Sequence, residues 1–377
     1  MRWAWADVDL DAIAHNVHVI REIAAPATVW AVVKADAYGH GAIPVARSAL
    51  AAGATGLCVA LVSEGVELRV AGIGGPILLL SQPPPEDFDV LVAHRLTPTF
   101  YAREAIDEFA ASIRGAGGLH HPVHLKIDTG MHRVGAAPID AVALADLIAA
   151  HPQLRLQGVF THLAMADEPG AASNQRQLDL FTRVLSALSA AGHDPEFTHV
   201  ANSAGVLSLP TSCRELVRVG IAMYGVEPGP ALSDRCTALR PALSLRARVS
   251  LVKRVIAGEG ISYGLRHVFA ADATVATVPL GYADGVPRRL FDAGGSVLIG
   301  GVRRPIVGVV TMDQLMVDCG DDSIEVGDEV VLIGRQQGND SSDAPGEIRV
   351  EEWAARLGTI GYEIVCAISK RIERMYP

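Results

Sequence analysis

Lys34 has the most distinctive setting of any reactive side chain in this sequence, because it ends an apolar run and precedes a segment with two glycines. Residues 29–33 have the pattern of a buried parallel strand, and residues 41–52 have the pattern of the helix after it. Burial at a strand end lowers the pKa of a lysine and makes its amine nucleophilic. Lys34 is therefore a candidate Schiff-base amine, and the alternative is a lysine that merely ends a strand at the surface.

Eight short apolar runs before residue 221 indicate how such a lysine would be positioned. They are residues 29–33, 57–61, 77–80, 96–100, 123–127, 156–161, 197–201 and 216–219. Helical patterns lie between them at 41–52, 63–71, 103–114, 138–150 and 174–191. Eight strand-then-helix units predict an α/β fold, a (β/α)8 TIM barrel. The polar residues at or just beyond the ends of runs, where a barrel builds its active site, are Lys34, His162, Asn202 and Arg218.

The pattern changes to short β-branched segments after about residue 230. These segments are 247–255, 273–280, 296–299, 306–310 and 329–333, and residues 336–346 have the composition of a hairpin turn. We therefore predict a barrel domain at 8–232 and a mostly-β C-terminal domain at 233–377. Residues 1–7 are expected to add a strand to the second domain.

Composition restricts the class of protein. A chain of 377 residues, 50% hydrophobic and 20% charged, can bury a large core. Its net charge of −10 disfavours a nucleic-acid partner, which needs a basic face. No apolar run reaches the roughly 18 residues of a membrane span, and no signal peptide is visible. The five cysteines form no CxxC pair, so we expect buried free thiols in the cytoplasm, with neither disulfides nor a zinc site.

Nine short motifs agree with one family in order and spacing. They are AVVKADAYGHG at 31–41, KIDTGMHR at 126–133, THL at 161–163, ANS at 201–203, RVGIAMYG at 218–225, ISYG at 261–264, GYADG at 281–285, TMD at 311–313 and GTIGYE at 358–363. Together they resemble the alanine racemase family, pyridoxal-phosphate enzymes with a barrel and a C-terminal β domain. The likeness extends from residue 5 to residue 371. One departure is Gly361, where many family members carry asparagine.

The resemblance implies a two-base racemisation that interconverts L-alanine and D-alanine and supplies D-alanine for peptidoglycan. Lys34 would hold the cofactor as an internal aldimine and, once alanine forms the external aldimine, carry a proton on one face. Tyr263 from the partner subunit would carry it on the other face, so the resemblance implies a homodimer with shared active sites. His162 and Arg218 would favour the tyrosine phenolate. Taken alone, Tyr263 would be a rim tyrosine with a satisfied hydroxyl.

The resemblance also implies the residues that bind the cofactor. Arg218 would face the pyridine nitrogen and leave it unprotonated, because an arginine essentially never gives up its proton. The remaining implied contacts are Tyr38, His162, Asn202, Ser203, Tyr362 and the backbone amides of Gly220 and Ile221. Ser203 has a second interpretation, as the N-cap of the helix that follows it.

The substrate would meet a separate set of residues. Arg133 resembles the arginine that contacts the substrate carboxylate, and Lys126 resembles a lysine that is often carbamylated and orients that arginine. An ordinary ion pair or a surface lysine remains the alternative for Lys126. Tyr282, Met312 and Asp313 resemble residues at the substrate position, although a packed aromatic and a gap-filling methionine are open alternatives.

Three other functions share parts of this architecture. A broad-specificity amino-acid racemase would differ in pocket volume near Tyr282 and Met312. A barrel-type pyridoxal decarboxylase would place an acidic residue at the pyridine nitrogen, which Arg218 opposes. A pyridoxal-phosphate-binding homeostasis protein would have the barrel alone, which the C-terminal segments and Tyr263 oppose.

Overall fold

A computed structural model describes residues 3–338 and 346–377, and they form two compact units. One unit contains residues 13–37 and 41–240. The other contains the described residues up to Ala12, with 38–40 and those from Pro241 onward. Most of the predicted turn at 336–346 lies outside the described residues.

Eight parallel strands follow the first strand of the chain, β1 (Ala4–Val8). They are β2 (Thr28–Val32), β3 (Gly56–Val59), β4 (Ile77–Leu79), β5 (Thr99–Phe100), β6 (His121–Lys126), β7 (Leu154–Phe160), β8 (Phe197–His199) and β9 (Leu216–Val219). They pair in the orders β9-β2-β3-β4 and β5-β6-β7-β8. A bridge joins Leu78 of β4 to Thr97, two residues before β5, and the Arg218 amide donates to the Ala201 carbonyl beyond β8. The predicted barrel is confirmed.

Helical segments alternate with these strands. They are α1 (Leu10–Ala24), α2 (Lys34–Gly39), α3 (Ala42–Ala51), α4 (Val62–Val70), α5 (Phe88–Ala93), α6 (Arg103–Gly115), α7 (Ala141–Ala150), α8 (Ala172–Ala190) and α9 (Ser203–Ser208). Helix α6 buries Ile106, Phe109 and Ile113 at helical spacing. The Phe109 ring lies 5.2 Å from Phe88 and 5.3 Å from Phe100, so Phe109→Ala should destabilise the unit by about 3–5 kcal/mol.

The second unit is built on one sheet. Its strands are β1, β10 (Leu243–Arg248), β11 (Leu251–Val255), β14 (Ala273–Val278), β15 (Ser296–Ile299), β16 (Val302–Val307), β17 (Leu315–Asp318), β18 (Glu329–Gln336), β19 (Gly346–Ile348) and β20 (Glu373–Met375). They pair in the order β11-β14-β17-β16-β15-β18-β10-β1-β20, with β19 on β18. A separate hairpin pairs β12 (Gly260–Ile261) with β13 (His267–Val268). Helices α10 (Val350–Leu357) and α11 (Gly361–Ala367) complete the unit.

Several local expectations were wrong. The segment 247–255 is two strands, because the chain turns at Val249 and Ser250 between β10 and β11. Helices α1, α2, α5, α10 and α11 were not predicted. All five thiols were expected to be buried, but Cys366 is exposed and Cys213 is half-buried. Among the described residues, no helix combines the length and apolar character that crossing a bilayer requires.

Candidate active site

Lys34 opens a turn of unusual handedness at the carboxyl end of β2. The next four residues, Ala35, Asp36, Ala37 and Tyr38, have φ angles of 52°, 52°, 53° and 55°, and Gly39 has 82°. Left-handed helical geometry costs an L-residue roughly 1–2 kcal/mol, and it is seldom found at several successive residues. The half-buried Lys34 therefore begins a backbone turn that the surrounding structure must hold in place.

Two carboxylates hold this turn. Glu64 Oε1 accepts the Ala35 amide at 2.6 Å, while its Oε2 accepts the amides of Ala60 and Leu61 at 2.8 and 3.0 Å. Asp36 Oδ1 accepts the amide of Ala42 at 2.8 Å. Glu64 thus fastens the residue after Lys34 to the end of the neighbouring barrel strand.

Arg218 lies 3% exposed on β9, with its guanidinium group directed into the barrel. Its Nη2 donates to the carbonyls of Thr161 and Val200 at 3.0 and 3.1 Å and lies 3.3 Å from His162 Nδ1. Its Nη1 lies 2.7 Å from His199 Nδ1. Burial lowers its pKa to about 10, which leaves the guanidinium charged at neutral pH. The acceptors around this charge are carbonyl oxygens and imidazoles, and no carboxylate of the described residues forms an ion pair with it.

The imidazoles near Arg218 are held neutral. Burial lowers the pKa of His162 and His199 well below the usual value, and the charge of Arg218 lowers both further. His124, whose Nδ1 lies 2.9 Å from His199 Nε2, has its pKa lowered to about 3, mainly by burial. The His199 ring also stacks on Phe160 with centroids 4.5 Å apart.

Lys126 ends β6 inside the same cluster of positive charges and is 5% exposed. Its Nζ donates to the Leu80 carbonyl at 3.2 Å and lies 5.2 Å from the centre of the Phe160 ring. Burial, with the charges of Arg218, Arg133 and Lys34, lowers the pKa of its amine to about 7. A substantial fraction of Lys126 is therefore an uncharged amine at neutral pH.

Arg133 is exposed on a loop, 128–135, that begins directly after β6. Asp128 Oδ1 accepts the amides of Gly130, Met131 and His132 at 2.9, 3.0 and 3.1 Å. Burial alone would raise the pKa of Asp128, but these donors and the nearby His132 lower it below the usual value. A charged Asp128 therefore fixes the backbone that carries Arg133.

The structure after β8 contradicts the interpretation of Ser203 as a helix N-cap. The N-cap of α9 is Asn202, whose Oδ1 accepts the Gly205 amide at 2.9 Å, so Ser203 is not the cap. Instead Ser203 Oγ accepts the amides of Gly220 and Ala222 at 3.0 and 3.3 Å. The Gly220 amide, which was predicted to donate to a phosphate, donates to the Ser203 side chain instead.

Tyr263 belongs to the second unit and is 71% exposed, at the turn between β12 and β13. Its neighbours Ser262, Gly264 and Leu265 have φ angles of 64°, 76° and 48°. Ser262 Oγ donates to the Val309 carbonyl at 2.7 Å, which ties the turn to the sheet. An aromatic ring is thus held out from the surface on a constrained backbone.

The predicted substrate residues of the second unit lie together. The amides of Tyr282 and Ala283 bond the carbonyls of Thr311 and Met312, each at 3.0 Å. Tyr282 is 43% exposed and Met312 is 53% exposed, so neither is a core side chain. Asp313 accepts a hydrogen bond from Arg371 at 2.7 Å.

Two predicted phosphate tyrosines also belong to this unit. The rings of Tyr38 and Tyr362 lie 6.1 Å apart between centroids. Gly361, the departure from the family pattern, is buried at the first position of α11.

Four residues around these sites were not singled out from the sequence: Glu64, His124, Asp128 and His199. Glu64 had a signal, because a glutamate near the start of a predicted helix is typical of a capping box. Asp128 lies within a recognised motif and precedes a glycine, a pattern of Asx turns. The two histidines are placed by barrel closure, which no local pattern encodes.

Comparison with known proteins covers both units. The family model described as alanine racemase, N-terminal domain, matches residues 8–228, and that described as alanine racemase, C-terminal domain, matches residues 242–376. An alanine racemase of Symbiobacterium thermophilum is 45% identical over 377 residues, covering 100% of this chain and 97% of the relative. One from Thermobifida fusca is 43% identical over 381 residues, covering 99% and 98%.

Solved structures of alanine racemases are also similar to this chain. The alanine racemase of D-cycloserine producing Streptomyces lavendulae has a TM-score of 0.92 and 41% identity, covering 100% of this chain and 97% of that chain. The Bacillus anthracis enzyme, solved with bound L-Ala-P, has a TM-score of 0.91 and 40% identity, covering 100% and 95%. With a complete barrel, a C-terminal β domain and relatives matched over their whole length, the chain belongs to the alanine racemase family.

Proposed function

We propose that this chain interconverts L-alanine and D-alanine with pyridoxal phosphate as its cofactor. The observation that carries the proposal is the buried Arg218, a permanent cation that no carboxylate of the described residues neutralises. Such a guanidinium suits an unprotonated pyridine nitrogen and would repel a protonated one. This favours a racemase over a barrel-type decarboxylase, which is expected to place an acidic residue at that nitrogen.

The donors of the barrel unit fit this cofactor. Nη1 of Arg218 has two N–H groups and, among the described residues, bonds one acceptor, His199, so one N–H remains for a ring nitrogen. Ser203 Oγ already accepts two amides, which leaves its own O–H to donate to a phosphate oxygen. We propose Ile221, Asn202, His162, Tyr38 and Tyr362 as further cofactor contacts.

We assign a separate role to each residue that reacts with or binds the substrate. Pyridoxal phosphate, when bound, withdraws electrons from the substrate Cα and makes its proton acidic. Lys34 would hold the cofactor and move that proton on one face, and the partner subunit's Tyr263 would move it on the other. Arg133 would bind the substrate carboxylate from its braced loop.

The substrate's surroundings follow from the second unit. Tyr282, Met312 and Asp313 would limit the volume available to the substrate side chain and so favour alanine. The alanine-derived ligand L-Ala-P bound by the Bacillus anthracis relative supports a small substrate.

We propose further that Lys126 is carbamylated. Its lowered pKa provides the neutral amine that reacts with carbon dioxide, losing a proton as the N–C bond forms. The product would be an anion among Lys34, Arg133 and Arg218, where an ammonium group is disfavoured by the same charges.

The first test is chiral analysis of products after separate incubation with L-alanine and L-serine. Rapid formation of D-alanine with little D-serine is expected. Comparable conversion of both would support a broad-specificity racemase instead. Cofactor binding without racemisation, but with release of carbon dioxide, would support a decarboxylase.

A shared active site in a homodimer can be tested by mixing two inactive variants. Lys34→Ala lacks the barrel lysine and Tyr263→Phe lacks the phenol, so each homodimer should be nearly inactive. After subunit exchange, half of the dimers are mixed and each has one complete site, which predicts roughly a quarter of wild-type activity. If each subunit completes its own site, mixing restores nothing.

The product indicates the place of the reaction in the cell. We propose that D-alanine from this enzyme supplies peptidoglycan synthesis. The exposed Cys366 thiol is compatible with a reducing compartment, which supports a cytoplasmic location.

A further inference from the structure

Gln177 lies on α8 and is 3% exposed, outside every motif discussed above. Its Oε1 accepts the Ala164 amide at 2.9 Å. Its Nε2 donates to the His162 carbonyl at 3.1 Å and to Thr129 Oγ1 at 3.3 Å. One buried amide therefore joins the loop after β6, which carries Arg133, to the loop after β7, which carries His162.

Contacts around Gln177 tighten this link. Thr129 Oγ1 lies 2.7 Å from Thr161 Oγ1, which directly connects the two loops beside it. The Gln177 Cγ atom would lie 3.5 Å from a Cβ added at Gly130, so the side chain packs against the backbone of the Arg133 loop. One turn earlier on α8, Asn174 Nδ2 donates to the carbonyls of Met165 and Glu168 in the loop after β7.

We infer that Gln177 is a positioning residue that sets Arg133 relative to His162 and Arg218, and thereby sets the affinity for the substrate carboxylate. This inference rests on the proposed function for its substrate. An amide is required because the site needs an acceptor for Ala164 and donors for His162 and Thr129 on one planar group. An acid of the same shape supplies the acceptor but, when ionised, no donor.

The test compares Gln177→Glu and Gln177→Met with Gln175→Glu in the full-length enzyme. Gln175 is the matched control because it lies on the exposed face of α8, where it donates to Asp179 at 2.7 Å. We expect Gln177→Met to raise KM for both alanine enantiomers about tenfold with a smaller effect on kcat, since three hydrogen bonds of the side chain are lost.

The pH profile distinguishes positioning from general packing. Burial raises the pKa of a glutamate introduced at 177, so the acid form can donate its O–H to His162 at low pH. The KM defect of Gln177→Glu should therefore grow as pH rises, while that of Gln177→Met should not change with pH. A KM unchanged in both variants, or a loss of kcat alone, overturns the inference.

Hydrogen exchange of the protein without cofactor or substrate separates this inference from the proposed function. Exchange at Ala164 and at Gly130–His132 should be about tenfold faster in Gln177→Met than in the control. If Gln177→Met does not fold, Thr129→Val removes the hydroxyl that bonds Gln177 and Thr161 while keeping the Gln177 bonds to Ala164 and His162, and it should raise KM about threefold. Unchanged exchange in the folded variant, or unchanged KM in Thr129→Val, overturns the positioning role even if the wild type racemises alanine.

Discussion

His199 accepts a hydrogen bond from Arg218 through Nδ1, at 2.7 Å, and so must carry its own proton on Nε2. The reason is that a guanidinium group has donors but no acceptor. His199 Nε2–H then donates to His124 Nδ1 at 2.9 Å, which fixes the Nε2–H tautomer of His124 as well. The buried charge of Arg218 thus orders two neutral imidazoles in sequence.

This chain of imidazoles predicts how stability depends on pH. The pKa of His124 is about 3 in the folded protein and about 6.5 in the unfolded chain, so the unfolded chain takes up a proton first as pH falls. Its contribution to stability is present above about pH 6.5 and is lost progressively below it, by up to about 1.4 kcal/mol per pH unit. Urea unfolding at pH 7.5, 6.5 and 5.5 measures this slope.

The control for this experiment is a pair of histidine variants. His124→Asn should reduce the slope between pH 6.5 and 5.5 by about one proton, and His120→Asn removes an exposed histidine for comparison. An unchanged slope in His124→Asn would show that the imidazole does not titrate in this way.

Lys126 should react at neutral pH with carbon dioxide, which is in equilibrium with added bicarbonate. Because burial and neighbouring cations lower its pKa to about 7, the amine is available where an ordinary lysine is protonated. Carbon-13 NMR with labelled bicarbonate should give one carbamate signal, absent in Lys126→Ala and kept in Lys370→Ala. A signal that persists in Lys126→Ala would place the modification elsewhere.

Glu64→Gln should weaken the turn that carries Lys34. A glutamine offers one acceptor oxygen where Glu64 uses two, so either Ala35 or the pair Ala60 and Leu61 loses its partner. We expect a loss of about 1–3 kcal/mol in unfolding free energy. The Kd for pyridoxal phosphate should rise, by roughly tenfold if the loss falls on the Lys34 turn.

Glu67→Gln, on the same helix, is the matched control for Glu64. Spectrophotometric titration of both variants with pyridoxal phosphate gives the two Kd values. Equal values would mean that the carboxylate of Glu64 is a helix cap without influence on Lys34.

Asp128→Asn isolates the charge of the Arg133 loop. All three amides bond Oδ1, and an asparagine keeps that oxygen, so the charge and the contact of Oδ2 with His132 Nδ1 at 3.4 Å are lost while the three backbone hydrogen bonds remain. We expect about 1 kcal/mol of destabilisation at pH 7, less than for Asp128→Ala. Because the folded pKa of Asp128 is lowered, its stabilisation is present above about pH 4 and lost as pH falls below that.

The comparison of these two variants is made by urea unfolding at pH 7 and pH 3. The difference between wild type and Asp128→Asn should be smaller at pH 3 than at pH 7. A difference that is the same at both values would contradict a role for the ionised carboxylate.

Sequence predicted the barrel well, because a buried parallel strand is an unbroken apolar run and eight such runs leave few alternatives. Helix α1 was missed although Asp9 is a recognisable cap whose Oδ1 accepts the Ala12 amide at 2.8 Å. The segment 247–255 was read as one strand because the apolar pattern runs through its turn.

The residues that hold the candidate site in place could not be predicted from local sequence patterns. Gln177 lies in a helix that was predicted, yet its partners are 13 to 48 residues away in sequence. The motif residues themselves could be named from family likeness. The residues that contact them are set by how the strand ends converge in the folded barrel, and a single sequence does not show this.

The turn at Lys34–Gly39 has a backbone geometry that D-residues favour. Its φ angles are those that a mirror-image residue would adopt without strain, and glycine is the only encoded residue that shares that freedom. A chemically synthesised chain with D-alanine at Ala35 should therefore hold the backbone there with less strain than the encoded L-residue. The protein proposed to make D-alanine contains a position whose backbone D-alanine would fit better.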